Sequence, residues 1–515
     1  MDQAVQAGGA IAGGAPRRRE TLRIGIMGAG FGGIGLALLL KKAGFSAITL
    51  LERADRVGGT WRDNTYPGAA CDVRSHAYSL SFAPRTDWTE RYAGHAEILA
   101  YIEEVTQRGG VMPHVRLNST VMRARFDGSD QTWRVETTDG ATHVFDVFVS
   151  AVGQLSKPAI PSFPGLGDFD GAYFHSAQWE HGVQLAGKRI ALIGSAASAV
   201  QILPEIAKLC AHVDVFQRTP SWIVPRNNGR YSAWRKFLFR HLPGYRWALR
   251  QYLYLYGEFL FDAFRTGSWR NGLLRRSALR HLNAQIQDPV LRERMVPAYE
   301  LGCKRVLFSD DYYPCFNLPH VRLVTDPISG FERDGIRTAD GTLHTAEIAV
   351  FATGFDVRHC LQGVEIRGAG DTKLQDVWAD GPFAYRGVAV AGFPNMFILY
   401  GPNTNLGHNS ILVMLECQSR YIVQCLKRIV AGDLGTLDVT RAAMDLYNER
   451  LQRELKGMVW STGCGSWYES GNRITANWSR STLEYGRQMK HVAFADFIER
   501  PRQYGGLNAV EASVD

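Results

Sequence analysis

The sequence predicts an α/β protein with two Rossmann-like dinucleotide-binding domains and a helical insert. Three observations carry the prediction. A strand, a glycine turn and a helix follow one another at two places in the chain, beginning at Arg23 and at Arg189. In each copy the next strand ends in a charged residue, and the two charges are opposite. Between the second copy and residue 300 lies a stretch rich in Trp, Tyr, Phe, Leu and Arg. A chain of 515 residues is also too long for a single hydrophobic core.

The first unit starts with the apolar run Arg23 to Met27, continues through Gly28-Ala29-Gly30-Phe31-Gly32-Gly33, and enters a helical stretch from Ile34 to Ala43. Gly28, Gly30 and Gly33 let backbone N–H groups approach a pyrophosphate at the helix N-terminus. The following strand, Ala47 to Leu51, ends at Glu52. A carboxylate there accepts hydrogen bonds from both ribose hydroxyls and repels a 2′-phosphate, so the first site is expected to hold FAD rather than NADP.

The second unit runs from the strand Arg189 to Ile193 through Gly194-Ser195-Ala196-Ala197-Ser198-Ala199 into an apolar helix that extends to Leu209. Its middle glycine is replaced by Ala196, whose methyl is expected to weaken or shift the pyrophosphate contact of the Gly194, Ser195 and Ser198 turn. The strand Val213 to Gln217 ends at Arg218 and Thr219. Arg218 follows Gly194 by 24 residues, as Glu52 follows Gly28. A cation at that place favours a 2′-phosphate and hence NADPH.

Composition narrows the alternatives. No apolar run reaches the roughly 20 residues of a membrane-spanning helix. The first twenty residues, rich in Gly and Ala and ending in Arg17-Arg18-Arg19-Glu20, lack the sustained apolar core of a secretory signal and read as a disordered leader. The eight cysteines are scattered, with no Cys-x-x-Cys pair and no Cys/His spacing suited to zinc, which points to a reducing cytoplasm and to no metal site. The net charge of +8 is spread along the chain and is met in part by two phosphate-rich cofactors, so nucleic acid is not expected as a partner.

A chain holding FAD and NADPH can be a reductase, a disulfide oxidoreductase or a monooxygenase. The disulfide option requires a redox cysteine pair near the first helix, and Cys71 stands alone there. Two strings separate the other two. Residues 58–72 read Gly-Gly-Thr-Trp-Arg-Asp-Asn-Thr-Tyr-Pro-Gly-Ala-Ala-Cys-Asp, and Phe169-x-Gly171-x-x-x-His175-x-x-x-Trp179 follows. Both resemble the fingerprints of Baeyer–Villiger monooxygenases. The resemblance extends over nearly the whole chain after the leader, through Gly302-Cys303-Lys304-Arg305, Ala352 to Asp356, Tyr400-Gly401-Pro402-Asn403 to Ser410, and Gly465-Ser466-Trp467.

The resemblance implies an enzyme that uses NADPH and O2 to insert one oxygen atom beside a ketone carbonyl, giving an ester or lactone by way of a C4a-peroxyflavin. It aligns Arg305 with the family's catalytic arginine and Asp72 with the carboxylate that holds it. Negative charge developing in a water-excluding site calls for a fixed, planar cation of this kind. Gly59, Trp61, Tyr66 and Asp72 belong to the FAD-side fingerprint. Lys304 and Arg218 match contacts to the NADP 2′-phosphate, with Thr219 in support, and Trp467 matches an indole on the nicotinamide side. His175 and Trp179 match a linker that couples cofactor movement between domains. Taken singly these residues are bland: Asp72 would cap a turn, Arg305 would be a solvated surface cation, and His175 and Trp179 would be structural. Glu180 departs from the Pro or Asp that usually closes the second fingerprint.

The same resemblance sets the domain plan: a leader at 1–20, FAD-binding parts at 21–158 and 381–515, NADP-binding parts at 159–226 and 300–380, and a helical cap at 227–299. In the cap, Trp234, Phe237, Leu238 and Leu242, then Leu249, Tyr252, Leu253, Tyr256, Phe259 and Leu260, recur at helical spacing. The favoured expectation is that these aromatics pack inward with the arginines solvated; the secondary one is weak contact with a membrane surface. Aromatics at the substrate entry would suit a large lipophilic ketone. The rival functions are an oxygenase of nitrogen or sulfur, and an NADPH oxidase or redox-sensing protein that oxygenates no organic substrate. The oligomeric state is not legible.

Overall fold

In the computed structural model, which describes residues 17–357, 361, 363–470 and 473–503, each glycine turn leaves the carboxyl end of the central strand of a five-stranded parallel sheet. The first sheet has the order 396–398, 147–150, 24–27, 48–51, 115–116. The second has the order 321–324, 212–216, 189–193, 348–351, 172–175. In both, the strand that enters the turn pairs on one side with the next strand of its unit, in the registers Ile24 with Ile48 and Ile190 with Val213. Ile24–Met27 is buried at every position, as expected of a parallel strand covered on both faces.

The helices that follow are α1 (Phe31–Lys42) and α2 (Ala197–Ile206). α1 ends in Lys41 and Lys42, cations that complement the negative end of the helix dipole. Strands not foreseen from the sequence are added to each half: the antiparallel 121–127, 132–137 and 142–145, with 365–367 parallel to the first of them, and the antiparallel meander 328–332, 335–338, 343–345.

Residues 17–20 do not belong to a disordered leader. Arg17 is buried, its guanidinium donates to Asp146 at 3.2 Å, and its backbone N–H donates to Asp433. Residues 1–16 lie outside the described part of the chain.

The insert is helical as expected: α3 (Ala233–His241), α4 (Tyr245–Phe261) and α5 (Trp269–Gln285). Its burial pattern is a correction. Phe239, Leu253 and Phe261 face inward, whereas Trp234, Phe237, Leu242, Tyr252, Tyr256 and Phe259 are exposed. Among the described residues no helix is long and apolar enough to cross a membrane.

α3 packs on a buried histidine. His76 lies 4.1 Å from the Phe239 ring and 5.4 Å from Tyr231, and its Nε2 has no hydrogen-bond partner among the described residues. Burial, helped by Arg246 and Arg250, pushes the imidazole down to about 4 from an ordinary 6.5. As pH falls below 6.5 the unfolded chain takes up this proton and the folded chain does not, so stability present above pH 6.5 is lost down to about pH 4. The expected loss is roughly 3 kcal/mol from this residue. Urea unfolding midpoints at neutral and acid pH will show the fall in wild type and a smaller one in His76→Phe; equal falls would remove His76 from the account.

Candidate functional site

The two turns do the same backbone work with different residues. Gly28 has φ +105°, and a Cβ there would lie 2.7 Å from the Ala151 carbonyl oxygen; at Gly33 a Cβ would lie 2.0 Å from the Gly28 oxygen. Gly194 repeats the first case, with φ +121° and the Ala352 oxygen at 2.4 Å. The middle position differs. Gly30 caps α1 with φ −88° and ψ −166°, and Ala196 caps α2 with φ −91° and ψ −165°. That conformation is open to any residue, so alanine costs no backbone strain there, and its methyl faces the cavity described below.

Neither helix has a side-chain cap or an acidic residue in its first turn. Their first N–H groups are therefore left for an anion, and the positive end of each dipole reinforces the preference. Both N-termini open into one cavity of about 870 Å³. It is bordered by Gly28, Gly30 and Glu52 of the first unit, by Ala196 and Ser198 of the second, and by Gly59, Trp61, Tyr66 and Asp72 of the fingerprint between them. Lys304, Arg305 and Trp467 complete it. Gly33 sits behind the wall, and Gly194, Ser195, Arg218, Thr219, His175 and Trp179 do not line this cavity.

Glu52 is 4% exposed and held at both oxygens: Oε2 accepts from the Ala29 N–H at 2.8 Å, and Oε1 accepts from the Ala54 N–H at 3.1 Å and from Arg62 at 2.8 Å. The buried partner Arg62 was not singled out in the sequence. Its ion pair holds the carboxylate at the edge of the cavity, where ribose hydroxyls can reach the lone pair left on Oε2.

The fingerprint segment is clamped onto α2. Gln201 accepts from the Tyr66 hydroxyl at 3.0 Å and donates to the Ala70 carbonyl at 2.9 Å. Trp61 donates to Tyr78 at 3.1 Å. The string from Gly58 to Asp72 thus physically joins the first glycine turn to the second helix, which explains why so many consecutive residues are specified.

At its end stands the pair expected from the sequence. Arg305 donates from Nε and Nη2 to the same oxygen of Asp72, at 2.9 and 2.7 Å. The Asp72 charge holds the guanidinium well above its ordinary range. Arg305 leaves a turn at Gly302 just before the strand Leu307–Phe308, which pairs with Ile223–Val224. Asp72 is fixed by the Cys71 N–H bond to Ala93 O at 3.0 Å and by Arg226, which donates to Cys71 O at 3.0 Å. Arg305 Nη1 has no protein acceptor among the described residues and is left for a ligand.

Two tyrosines complete this corner. Tyr468 is pushed up to about 12 by burial, against the pull of Arg305, and burial raises Tyr400 further. Both stay neutral phenols that can donate. Tyr400 holds φ +57°, an outlier for so bulky a residue, and its hydroxyl donates to Asn405 at 2.8 Å. The only sequence signal for it was its place at the head of the Tyr-Gly-Pro-Asn string.

On the NADP side, burial and the nearby Arg218 charge lower the Lys304 ammonium from its ordinary value. Neither cation has an ion-pair partner among the described residues. Ser195 donates to Thr219 O at 2.8 Å, and Ser221 donates back to Ser195 O at 3.0 Å, which ties Arg218's loop to the turn. His175 is buried between the Gly354 carbonyl, 2.9 Å from Nε2, and the Ala177 N–H, which Nδ1 accepts at 3.1 Å. Burial lowers its pKa and keeps it neutral, a brace rather than a proton carrier. Trp179 packs edge-on against Phe174 at 5.1 Å.

The cysteine reading needs correction. Cys303 and Cys464 form a disulfide across 161 residues of sequence, which spacing alone could not reveal. It joins the residue before Lys304 to the loop carrying Trp467. Cys71, Cys210, Cys315, Cys417 and Cys425 are free, and Cys360 lies outside the described residues. A Cys464→Ser variant is expected to lose about 2 to 4 kcal/mol of stability and to be cut faster by protease within 461–467. Unchanged cleavage and unfolding would contradict a tethering role.

A model of flavin-binding monooxygenase-like proteins matches residues 21–243. A Baeyer–Villiger monooxygenase of Streptomyces coelicolor is 41% identical over 498 residues, covering 96% of this chain and 96% of the relative. One from Pseudomonas aeruginosa is 39% identical over 88% of this chain and 86% of its own length. Among solved structures, an oxidised steroid monooxygenase bound to NADP superposes with a TM-score of 0.84 at 28% identity, covering 93% of this chain and 99% of that one. Cyclohexanone monooxygenase from Rhodococcus sp. Phi1 bound to NADP+ gives 0.84 at 26% identity over the same shares.

Proposed function

The chain belongs to the Baeyer–Villiger monooxygenases, and from that premise we propose that Arg305, oriented by Asp72, supplies the positive charge that oxygen insertion requires. The enzyme is an NADPH- and O2-dependent flavoprotein that converts a ketone to an ester or lactone. The observation that carries the role of Arg305 is its double donation to one Asp72 oxygen, inside a cavity bounded by both glycine turns.

The residues present fit both cofactors. The uncapped N-terminus of α1 and the fixed Glu52 suit the pyrophosphate and ribose of FAD. The N-terminus of α2, with Arg218 and Lys304, suits a nucleotide bearing a 2′-phosphate. Bound flavin, once reduced by NADPH, supplies the activation of O2. Asp72 uses two of the guanidinium donors and fixes its plane, and Nη1 points its remaining hydrogens at developing negative charge. The phenol of Tyr468 adds a neutral donor at the same corner, while the Tyr400 hydroxyl donates its one hydrogen to Asn405. The Trp467 loop, tied to the Arg305 segment by the disulfide, keeps the nicotinamide side of the cavity in register with Arg305.

The partition into FAD parts at 21–158 and 381–515 and NADP parts at 159–226 and 300–380 is supported by the strand orders, in which 396–398 joins the first sheet and 348–351 the second. The insert supplies no residue to the cavity wall, so a case for substrate class rests on the wall itself. Leu155, Val357, Val364 and Trp467 make much of it apolar, which favours a lipophilic ketone. Comparing kcat/KM across linear, cyclic, aromatic and polar ketones tests this. Preference for the larger apolar members is expected, and turnover confined to small polar ketones would refute it.

A further inference from the structure

The charge excess of the chain sits in one place. Residues 233–285 hold ten Lys and Arg against Glu258 and Asp262, a surplus equal to the +8 of the entire sequence. The same helices display the largest exposed aromatics: Trp234 and Trp247 are each 66% exposed and Trp269 is 65% exposed. On α4, Tyr252, Leu255, Tyr256 and Phe259 fall at i, i+3, i+4 and i+7 and form one outward stripe, while Leu253, Gly257 and Phe261 form the buried side. Arg270 lies 4.1 Å from the Phe259 ring and 5.4 Å from Trp269, which makes the stripe continuous with the start of α5. Trp234 and Phe237 stack at 5.5 Å on α3.

We propose that this face docks on anionic phospholipid bilayers. An apolar stripe of this size on a soluble surface marks an interaction site. The charge selects the occupant. A second copy meeting it across a two-fold axis would bring the same cationic surplus against itself, with no acidic row to answer it. Leu242, Leu255 and Leu273 neither stack on bases nor pair with a polynucleotide's phosphates, so nucleic acid leaves half the face unused. A bilayer with anionic headgroups takes all of it: aliphatic side chains in the acyl boundary, Trp and Tyr at headgroup level, and arginines on lipid phosphates.

The placement gives docking a purpose. The buried side of α4 abuts the segment of His408 and Asn409, and Asn409 donates to the Tyr254 carbonyl at 3.2 Å and lines the cavity. One helix therefore separates the docking face from the cavity wall, an arrangement suited to taking up a ketone dissolved in lipid. The docking proposal itself does not depend on the reaction catalysed.

The test is sedimentation of the full-length, FAD-loaded protein with phosphatidylglycerol vesicles and with phosphatidylcholine vesicles. Two variants are compared, Trp234→Ala/Trp247→Ala/Trp269→Ala and Arg235→Glu/Lys236→Glu/Arg240→Glu, each checked for bound FAD and unchanged NADPH oxidation in solution. Binding to phosphatidylglycerol is expected to exceed binding to phosphatidylcholine by at least about tenfold and to fall about tenfold in either variant. Tryptophan emission in wild type should shift to the blue on adding phosphatidylglycerol. No pelleting with phosphatidylglycerol, equal binding to both lipids, a dimer that the tryptophan variant dissociates, or a preference for oligonucleotides over vesicles would each overturn the proposal.

Discussion

Arg305→Ala is expected to abolish ester formation while reduction of the flavin by NADPH continues at nearly its normal rate. The guanidinium meets Asp72 through two of its donors and offers the rest to the cavity, so removing it takes away a fixed charge where negative charge develops. A single such donor contributes about 10²- to 10³-fold in rate, and a whole cation facing the cavity should reach the upper end. Lysine should not restore activity, because an ammonium cannot bind Asp72 through two parallel donors and still present a third. Asp72→Asn should retain partial activity: the plane of Arg305 loosens, but the charge remains. Anaerobic stopped-flow absorbance measures the reduction step and mass spectrometry measures the ester. If Arg305→Ala slows reduction as much as ester formation, the arginine acts in coenzyme placement instead.

Arg218→Ala/Lys304→Ala should raise the KM for NADPH by at least about 100-fold and leave the KM for NADH almost unchanged, since each charge-assisted contact to phosphate contributes on the order of 1.5 to 3 kcal/mol. Burial and, after it, the like charge of Arg218 lower the Lys304 ammonium, and a bound 2′-phosphate offsets both by supplying an opposite charge. The sign of the pH dependence follows. Lys304 without coenzyme loses its proton at lower pH than an ordinary lysine, so NADPH affinity should weaken as pH rises into that range while NADH affinity stays flat. Initial rates with both coenzymes across pH measure this, and parallel losses for NADPH and NADH would assign the pair a structural role.

Much of this site could be read in the chain because its demands are local. A glycine turn after a buried strand can be built by few residues, and Gly28, Gly33 and Gly194 meet close contacts that a Cβ would violate. The fingerprint ending at Asp72 was legible because it is one unbroken segment, running from Gly58 against Ala29 of the first turn to Tyr66 and Ala70 against Gln201 of α2. What the sequence hid were pairings between distant segments: Gln201 with Tyr66 and Ala70, Arg62 with Glu52, and Cys303 with Cys464. None has a spacing rule. The insert shows the limit of periodicity. Apolar residues at helical spacing on α4 mark a stripe, but α4 carries two, one around Leu253 and one around Tyr256, and composition alone could not say which faces the protein. At Ala196 the motif prefers glycine, yet the backbone there is ordinary, so what alanine changes is the methyl at the cavity wall.

The measurement that bears most directly on the whole account is turnover of a ketone pool by the purified, FAD-loaded protein with NADPH under ¹⁸O2. The account predicts esters or lactones carrying one labelled oxygen beside the former carbonyl carbon, formed by wild type and lost in Arg305→Ala. NADPH consumed with hydrogen peroxide as the sole product, or label found only in a sulfoxide or N-oxide when thioethers and amines are supplied, would contradict it.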